Sequence, residues 1–315
     1  MFVVSIILDI PLRHGYSYLS EQELLRGTRV QVELRGRAQV GFVLNCVAST
    51  EFNNYPLAKL KPILSISTDN LSIPNDVWEL CNFAANYYHH PLGNSLFCAI
   101  PTLLRKTTEP TANFNQTKFY QLINHEAKLR GSKQQHLLTE FQHTAILSYK
   151  QIQVILAAKP DKLIAQWIEK QIIYETPAPS AASVTQALTL NEEQQLVVTA
   201  IASNFNTFHV GLLYGITGSG KTEVFLHLSQ RILHQQQQVL VIVPEINLTP
   251  QLQSRFEQRF PAAKISLINS EIAEKARFHA WMAAKSGQSN IILGTRLSVF
   301  TPLHNVGLII VDEEH

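Results

Sequence analysis

Eight consecutive residues in the C-terminal half of the 315-residue chain have the types and spacing that hold a chain of phosphates. They read Gly-Ile-Thr-Gly-Ser-Gly-Lys-Thr from position 215 and fit the pattern G-x-x-x-x-G-K-[ST]. Glycine permits positive φ at no steric cost, which lets consecutive backbone N–H groups point at phosphate oxygens. The sequence therefore predicts a nucleotide-binding loop whose contacts come from Gly215, Thr217, Gly218, Ser219, Gly220, Lys221 and Thr222.

Two side chains of this loop suit the charge of a nucleoside triphosphate. Lys221 is expected to reach the β- and γ-phosphates, and the hydroxyl of Thr222 is a hard ligand for Mg²⁺. The flanking residues favour this interpretation over a glycine-rich surface turn. His209–Tyr214 has the pattern of a short buried strand, and Thr222–Gln235 has apolar residues at helical spacing. The loop is thus predicted to precede a helix N-terminus, where the helix dipole favours an anion.

The last residues of the chain have the pattern of a buried strand that ends in carboxylates. The apolar run Leu308–Val311 is followed by Asp-Glu-Glu-His. Asp312 is expected to hold Mg²⁺ opposite Thr222, and Glu313 to orient and deprotonate the attacking water. Taken alone, this stretch is equally consistent with an ordinary acidic turn after a core strand. The D-E-x-H form is typical of superfamily 2 helicases, in which the histidine, here His315, couples the nucleotide state to DNA contacts.

Composition indicates a globular protein with nearly balanced charge. Hydrophobic residues make up 45% of the chain, charged residues 16%, and the formal net charge is +2. Any nucleic acid is therefore expected to bind local patches, because the bulk charge is too small to attract it. Three widely spaced cysteines without a CxxC pair, and the absence of a signal peptide or a long apolar run, favour a cytoplasmic protein with no membrane segment.

Residues 1–105 are predicted to form a β-rich domain. Apolar, β-branched runs indicate strands over Val3–Ile10, Thr28–Leu34, Ala38–Ala48 and Leu60–Ile66. The basic turn Arg35-Gly36-Arg37 separates two of these runs, and a helix is expected to begin at Pro74. The adjacent His89 and His90 are interpreted as a helix cap or a packed pair, because no cysteine or further histidine lies at metal-ligand spacing.

Residues 106–175 have the pattern of a small helical module. Helices are predicted over Gln134–Gln142, Ser148–Ala158 and Asp161–Glu169, with a β-like run at Ile172–Tyr174. Ser148 is the expected N-cap of the second helix. This order suggests a winged-helix-like domain, which binds DNA in many proteins and is a docking or spacer domain in others. A linker of small residues and prolines over residues 176–187 follows.

From residue 188 onward, strands and helices alternate, which is typical of a parallel sheet covered by helices. The predicted strands are Val210–Tyr214, Val239–Val243, Ile265–Ile268, Ile291–Leu293 and Leu308–Val311. Residues 188–315 are therefore expected to form an α/β domain that contains the phosphate loop. The whole chain is predicted to be multidomain, with a β-rich domain, a winged-helix-like α domain and this α/β domain.

Four stretches occur in an order that points to a family. They are Gly215-Ile-Thr-Gly-Ser-Gly-Lys-Thr-Glu-Val, Val243-Pro-Glu-Ile-Asn-Leu-Thr-Pro-Gln, Gly294-Thr-Arg with Phe300-Thr-Pro, and Ile309-Ile-Val-Asp-Glu-Glu-His. In this order they resemble the PriA family (primosomal protein N′), the bacterial replication-restart DNA helicases of superfamily 2. Residues 87–93 and 103–105, Tyr-Tyr-His-His-Pro-Leu-Gly and Leu-Leu-Arg, resemble that family's 3′-DNA-end-binding domain. The likeness thus spans nearly the whole chain.

The resemblance implies roles for further residues. Gln194 matches the glutamine that reads adenine, and Thr295 and Arg296 match a motif that contacts single-stranded DNA. The residues that match the pocket for the last nucleotide of a 3′ end are Tyr16, Ser17, Tyr18, Gly36 and Lys61. In such a pocket an aromatic ring stacks on the base and a lysine meets the phosphate. The family commonly has aspartate in place of Ser17, which would bond a ribose 3′-OH more strongly, and His-Ser in place of Asn269-Ser270.

The resemblance also implies a function for the parent protein. It would be an ATP- and Mg²⁺-dependent 3′-to-5′ DNA helicase that recognises stalled or branched forks, 3′ DNA ends and single-stranded DNA. It would start primosome assembly together with primosome proteins and single-strand-binding protein. The alternative is a binding module, in which residues 1–105 recognise branched DNA and the nucleotide lobe is inert.

Residues 188–315 would be the first RecA-like lobe of an incomplete helicase core. The family's Zn²⁺-binding segment, second lobe, arginine finger and C-terminal domain are expected beyond His315. The chain is therefore interpreted as an N-terminal fragment that binds DNA, with ATP as a further candidate ligand, but that does not unwind DNA.

Overall fold

The computed structural model describes residues 1–12, 14–54, 56–68, 71–108, 110, 118–124, 131–176, 188–205, 207–216, 218–244 and 249–313. The chain divides into two compact units. The first contains Met1–Ala112, Leu188–Glu257 and Lys264–His315, and the second contains Asn113–Ala187 and Gln258–Ala263. The N-terminal segment and the segment with the phosphate loop thus belong to one unit. Apart from residue 176, the predicted linker lies outside the described residues.

A five-stranded antiparallel sheet in the order β2-β1-β4-β3-β5 forms the N-terminal part of the first unit. Its strands are β1 (Phe2–Leu8), β2 (Tyr16–Ser20), β3 (Arg29–Leu34), β4 (Arg37–Ala48) and β5 (Ser65–Ile66), and helices α1 (Asn75–Tyr87) and α2 (Leu92–Ala99) follow. Val4, Ile6 and Leu8 lie in one apolar core, and Val3 and Ile7 are buried as well, which accounts for the nearly continuous apolar run of this strand.

Most of the predicted N-terminal elements are present, with shifted ends, and one strand was not predicted. That strand is β2, although three of its residues are candidate DNA contacts. The basic turn between β3 and β4 is a two-residue hairpin, because Leu34 pairs with Arg37. Its two central residues, Arg35 and Gly36, have φ of 51° and 77°, as the tight turns that match the twist of paired strands require.

The second unit has a three-stranded antiparallel sheet in the order β7-β6-β8 and three helices. In chain order its elements are β6 (Phe119–Leu122), α3 (Ser132–Thr144), β7 (Ile146–Ser148), α4 (Tyr149–Leu156), α5 (Asp161–Glu169) and β8 (Ile173–Thr176). The three predicted helices are confirmed, and Ser148 caps α4 in a capping box with Gln151. Phe141 and Trp167 lie in the apolar core of this unit, with ring centroids 6.3 Å apart.

Four parallel strands in the order β10-β11-β9-β12 form the sheet of the phosphate-loop segment. They are β9 (Gln238–Ile242), β10 (Ile265–Ile268), β11 (Ile291–Gly294) and β12 (Val306–Val311), and the helices are α6 (Glu192–Ala202), α7 (Lys221–His234), α8 (Thr249–Arg259) and α9 (Glu274–Lys285). The inner strand β9 is buried at every position, as expected of a parallel strand covered on both faces. The carboxyl ends of the strands share one edge, where ligands bind in open α/β sheets.

One predicted strand is wrong. Val210–Tyr214 pairs with no strand among the described residues, and the side chains of Val210, Leu212 and Tyr214 are 77%, 87% and 92% exposed. The predicted burial of this segment is therefore wrong as well. An apolar run becomes a buried strand only where a neighbouring strand satisfies its backbone. Among the described strands, the edge strand β12 pairs with β9 alone.

Two further features bear on expectations from composition. In the described part of the chain, no helix combines the length and the apolar character needed to cross a membrane.

The three cysteines are free thiols. Cys81 is buried, and this burial raises its pKa to about 12, whereas Cys98 is exposed. Of these two thiols, only Cys98 is suited to react at neutral pH.

Candidate functional site

The phosphate loop has the backbone conformation that its glycines predict. Gly218 and Gly220 have φ of 83° and 82°, a region that residues with a Cβ rarely occupy. Helix α7 begins at Lys221, directly after Gly220, so the unpaired N–H groups of its first turn lie at the loop. A Cβ at Gly220 would lie 2.4 Å from Nε2 of Gln194. Glycine at position 220 is therefore favoured by its φ, and any larger residue there would also displace the amide of Gln194.

Lys221 holds the loop closed on itself. Its Nζ donates to the carbonyl oxygen of Gly215 at 2.6 Å and to that of Ile216 at 3.3 Å. Both acceptors are neutral, whereas phosphate oxygens are charged and make hydrogen bonds roughly twice as strong. The ammonium group is thus placed to exchange these carbonyls for the phosphates of a nucleotide.

Gln194 contacts the phosphate loop and caps its own helix at the same time. Its Nε2 donates to the carbonyl oxygen of Ser219 at 3.0 Å, and its Oε1 accepts from the backbone N–H of Asn191 at 3.1 Å. The side chain of Asn191 accepts from the backbone N–H of Gln194 at 2.8 Å, which completes a capping box. Gln194 is thus linked directly to the loop, and its contact with adenine stays a prediction.

We expect Gln194→Glu and Gln194→Ala to separate these two roles. Glutamate keeps an oxygen for the N–H of Asn191, but when ionised it cannot donate to Ser219. Both variants should bind Mg–ATP about fivefold more weakly, which corresponds to one hydrogen bond of ~1 kcal/mol. Only the alanine variant should speed hydrogen exchange in α6. Titration with a fluorescent ATP analogue measures the first effect. Unchanged affinity of Gln194→Glu would mean that the contact with Ser219 does not support nucleotide binding.

Asp312 and Glu313 lie where β12 ends. The backbone N–H of Asp312 donates to a main-chain carbonyl of β9 at 2.9 Å, so the register of the sheet places this carboxyl group at the carboxyl edge. Burial raises the pKa of Asp312, and the neighbouring carboxylate of Glu313 raises it further, while Lys221 lowers it. The effect of Lys221 on this pKa means that the ammonium and carboxyl groups lie within electrostatic range of each other.

The donors at this edge fit a magnesium-bound nucleoside triphosphate. The ammonium of Lys221 and the N–H groups of the loop suit the phosphates, and Thr222 and Asp312 offer the hard oxygen ligands that Mg²⁺ prefers. A nearby cation favours the charged form of a carboxyl group whose pKa burial has raised. Two predicted site residues, Thr217 and His315, lie outside the described residues.

In the N-terminal part, Glu33 of β3 contacts three of the candidate DNA-binding residues. Its carboxylate accepts from Nζ of Lys61 at 2.5 Å, and its main-chain oxygen accepts from the hydroxyl of Tyr18 at 3.0 Å. Lys61, and to a lesser extent the backbone N–H of Gly36, lower the pKa of the Glu33 carboxyl group. Glu33 was not predicted from the sequence, although an acidic residue two positions before the basic turn at Arg35 was an available signal.

The predicted pocket residues of β2 lie on opposite faces of that strand. Because side chains alternate across a strand, Tyr16 and Tyr18 share one face and Ser17 lies on the other. Tyr18 is only 4% exposed, and burial raises the pKa of its phenol. Stacking of a base on Tyr18 is therefore not available, and its contact with Glu33 is a positioning one. Tyr16 is half-buried and remains the aromatic candidate.

Thr295 and Arg296 follow β11 at the carboxyl edge of the parallel sheet. Arg296 begins a short 3₁₀ turn, and its side chain is exposed. After β10, the side chain of Asn269 accepts from two backbone N–H groups of the following turn, at 3.0 and 3.1 Å. Asn269 therefore shapes this turn. The structure brings the loops after β10 and β11 together at one edge of the sheet, and the DNA contacts of Thr295 and Arg296 stay predictions.

Two family models match the chain. Residues 5–101 match the PriA 3′DNA-binding domain (3′BD), and residues 187–315 match the type III restriction enzyme, res subunit. The first match contains Glu33 and all N-terminal candidate residues. The second contains the phosphate loop, Gln194 and the carboxylates after β12.

Curated relatives named replication restart protein PriA match nearly all of the chain. The Haemophilus influenzae protein is 33% identical over 100% of this chain and 44% of its own length. The Chlamydia pneumoniae protein is 28% identical over 93% and 40% of the two chains. The Synechocystis protein is 26% identical over 99% and 47%. The chain thus spans less than half the length of these relatives, and it belongs to the PriA family of replication restart proteins.

Proposed function

We propose that the chain is the DNA-recognising and ATP-binding part of a replication-restart helicase. The whole protein would hydrolyse ATP, move 3′ to 5′, recognise stalled or branched forks and start primosome assembly. The main support is that one compact unit contains a phosphate loop, a half-buried carboxyl group at Asp312 and the segment that matches the PriA 3′DNA-binding domain. DNA, primosome proteins and single-strand-binding protein would be its partners in the cytoplasm, and a Zn²⁺ site would belong to a further segment.

In this proposal the chain supplies one face of the nucleotide site. Lys221 binds the β- and γ-phosphates, Thr222 and Asp312 hold Mg²⁺, and Glu313 orients and deprotonates the attacking water. Mg²⁺ supplies neutralisation of the charge that develops on the phosphates. Gln194 contacts both the adenine and Ser219 of the phosphate loop, so binding of the base affects the loop through this side chain.

We assign the second unit to a winged-helix-like domain. The assignment rests on the chain order of a strand, a helix, a strand, two helices and a strand, and on the antiparallel sheet order β7-β6-β8. Within the whole protein this unit would contact DNA or dock other domains.

At the 3′-end site, we assign Lys61 to the last phosphate and Glu33 to the ribose 3′-OH. The family's common aspartate is replaced by Ser17, which lies on the opposite face of β2 from Tyr18. The carboxylate of Glu33 accepts from Lys61, and its main-chain oxygen accepts from Tyr18, so we assign this carboxylate to the place of the aspartate in the pocket. The lowered pKa of Glu33 keeps this group ionised at neutral pH. A 3′-phosphate, with a charge of about −2, would be repelled by it.

The test compares binding of oligonucleotides that end in a 3′-OH or a 3′-phosphate. The unaltered chain is expected to prefer the 3′-OH about tenfold, ~1.4 kcal/mol. Glu33→Gln should bring this ratio close to one, because it removes the repelling charge. Lys61→Ala should weaken binding of both ends and keep the ratio. An unaltered chain that bound both ends equally would refute the assignment of the pocket.

A further inference from the structure

A cleft at the carboxyl ends of β10 and β11 lies beside the DNA motif but has residues that no motif predicted. Ala99–Pro101, from the N-terminal part of the chain, forms one wall, and Trp281 of α9 also lines the cleft. The indole N–H of Trp281 donates to the carbonyl oxygen of Ala99 at 3.3 Å. One turn later on α9, Nζ of Lys285 donates to the carbonyl oxygen of Ser72 at 2.6 Å. The wall is therefore anchored to α9.

The charge in this cleft is positive. Arg277 of α9 is the one charged residue among the described residues that line it. Within the described part of the chain its side chain makes no ion pair, whereas Glu274, one turn earlier, pairs with Lys106 at 3.2 Å. The residues Ser270 and Thr295 add hydroxyl groups to the lining. A guanidinium with hydroxyl donors and no carboxylate among the lining residues suits a phosphate.

We propose that this cleft binds one backbone phosphate of single-stranded DNA and that Arg277 is its cationic ligand. The inference rests on the proposed function, because it assumes that DNA follows the carboxyl edge of the sheet past Thr295. Single-stranded DNA bound in this cleft would also lie against Ala99–Pro101. The N-terminal part would thus contact single-stranded DNA away from the 3′-end pocket of Glu33 and Lys61.

Circular single-stranded DNA is the probe, because it has no 3′ end and cannot occupy the 3′-end pocket. Arg277→Gln is expected to weaken its binding about tenfold, the effect of one charge-assisted hydrogen bond of ~1.5 kcal/mol. The slope of log K against log salt should fall in magnitude by about 0.7, the value for one single-strand phosphate. Arg277→Lys should restore most of that slope, since the slope depends on charge.

Lys275→Gln is the matched control, because Lys275 is exposed on the same helix and does not line the cleft. It should change neither affinity nor slope by more than a small fraction of the Arg277 effect. Equal losses in both variants would overturn the inference and indicate only bulk charge. If the unaltered chain bound linear DNA with a 3′ end but no circular DNA, the inference about the cleft would also be overturned. The proposed binding of 3′ ends would not be affected by that result.

Cys98 provides a second test that needs no change in Arg277. This thiol is exposed and lines the cleft, whereas Cys81 is buried with a pKa raised to about 12. Circular DNA is expected to slow maleimide labelling of Cys98, read by peptide mass spectrometry. Equal protection by inorganic phosphate at the same phosphate concentration would indicate a free-anion site and overturn the DNA assignment. An unchanged labelling rate would overturn it as well.

Discussion

Replacing Arg29 with methionine is expected to lower the opening free energy of the N-terminal sheet by about 3 kcal/mol. Arg29 is fully buried in β3. Its Nε donates to the carbonyl oxygen of Leu104 at 3.0 Å, and its Nη1 donates to Oγ of Ser67 at 2.6 Å. Its Nη2 donates to the carbonyl oxygen of Lys106. Methionine fills a similar volume but leaves these acceptors without a donor, at a cost of about 1–3 kcal/mol for each that stays buried.

Hydrogen exchange in peptides from β3 and β4 measures this effect. A loss of about 3 kcal/mol corresponds to roughly hundredfold faster exchange, because 1.4 kcal/mol is a factor of ten. Arg26→Met is the matched control, since Arg26 is an exposed arginine that pairs with Glu79. An exposed pair is worth about 1 kcal/mol or less. If hydrogen exchange in β3 and β4 were equally fast in the two variants, the hydrogen bonds of Arg29 would contribute nothing to the opening free energy beyond the volume that the side chain fills.

The position of Arg29 also connects the sheet to the end of the N-terminal part. Besides the bonds of Arg29, Nε2 of Gln31 donates to the carbonyl oxygen of Thr107 at 2.7 Å. Lys106, within the same segment, pairs with Glu274 of α9. Arg29→Met is therefore expected to speed exchange at residues 104–107 as well as in β3, and Arg26→Met is not.

Local sequence patterns correctly predicted the features that depend only on residues close together in the chain. The ends of β10 agree with the predicted Ile265–Ile268, and α7 begins within one residue of the predicted position. The N-cap at Ser148 is confirmed because the capping box uses residues only three positions apart. Positive φ at Gly218 and Gly220 likewise follows from the loop motif itself.

The features that the sequence did not predict depend on residues far apart in the chain. Glu33 gains its role from Lys61, 28 residues away, and the cleft of Arg277 depends on a bond across 182 residues, from Trp281 to Ala99. The wrong prediction of a strand at Val210–Tyr214 has the same origin. Its apolar composition is intrinsic to the segment, but strand formation requires a neighbouring strand, which no local pattern can supply.

Lys221→Ala is expected to weaken Mg–ATP binding by about 10- to 100-fold and to leave DNA binding unchanged. The estimate follows from the loss of charge-assisted hydrogen bonds to the phosphates, worth about 1.5–3 kcal/mol. In the structure the bonds of Lys221 are to Gly215 and Ile216, and none involves a candidate DNA contact. A fluorescent ATP analogue and a labelled fork measure the two affinities side by side.

Arg231→Ala is the control for Lys221→Ala, because Arg231 is an exposed cation on the same helix, in its last turn. It should leave ATP affinity near that of the unaltered chain. A parallel loss of fork affinity in Lys221→Ala would contradict the separation of the nucleotide and DNA sites. No measurable binding of Mg–ATP by the unaltered chain would favour the alternative of a DNA-binding module with an inert nucleotide lobe.

Comparison with Asp312→Asn distinguishes direct phosphate contact from contact through Mg²⁺. Lys221 is assigned to the phosphates themselves, so Lys221→Ala should weaken ATP binding with Mg²⁺ and with EDTA alike. Asp312 is assigned to the metal, so Asp312→Asn should weaken binding only with Mg²⁺. With EDTA it should bind ATP at least as tightly as the unaltered chain, because one negative charge near the phosphates is removed. If Asp312→Asn lost as much affinity in EDTA as in Mg²⁺, the carboxyl group would not act through the metal.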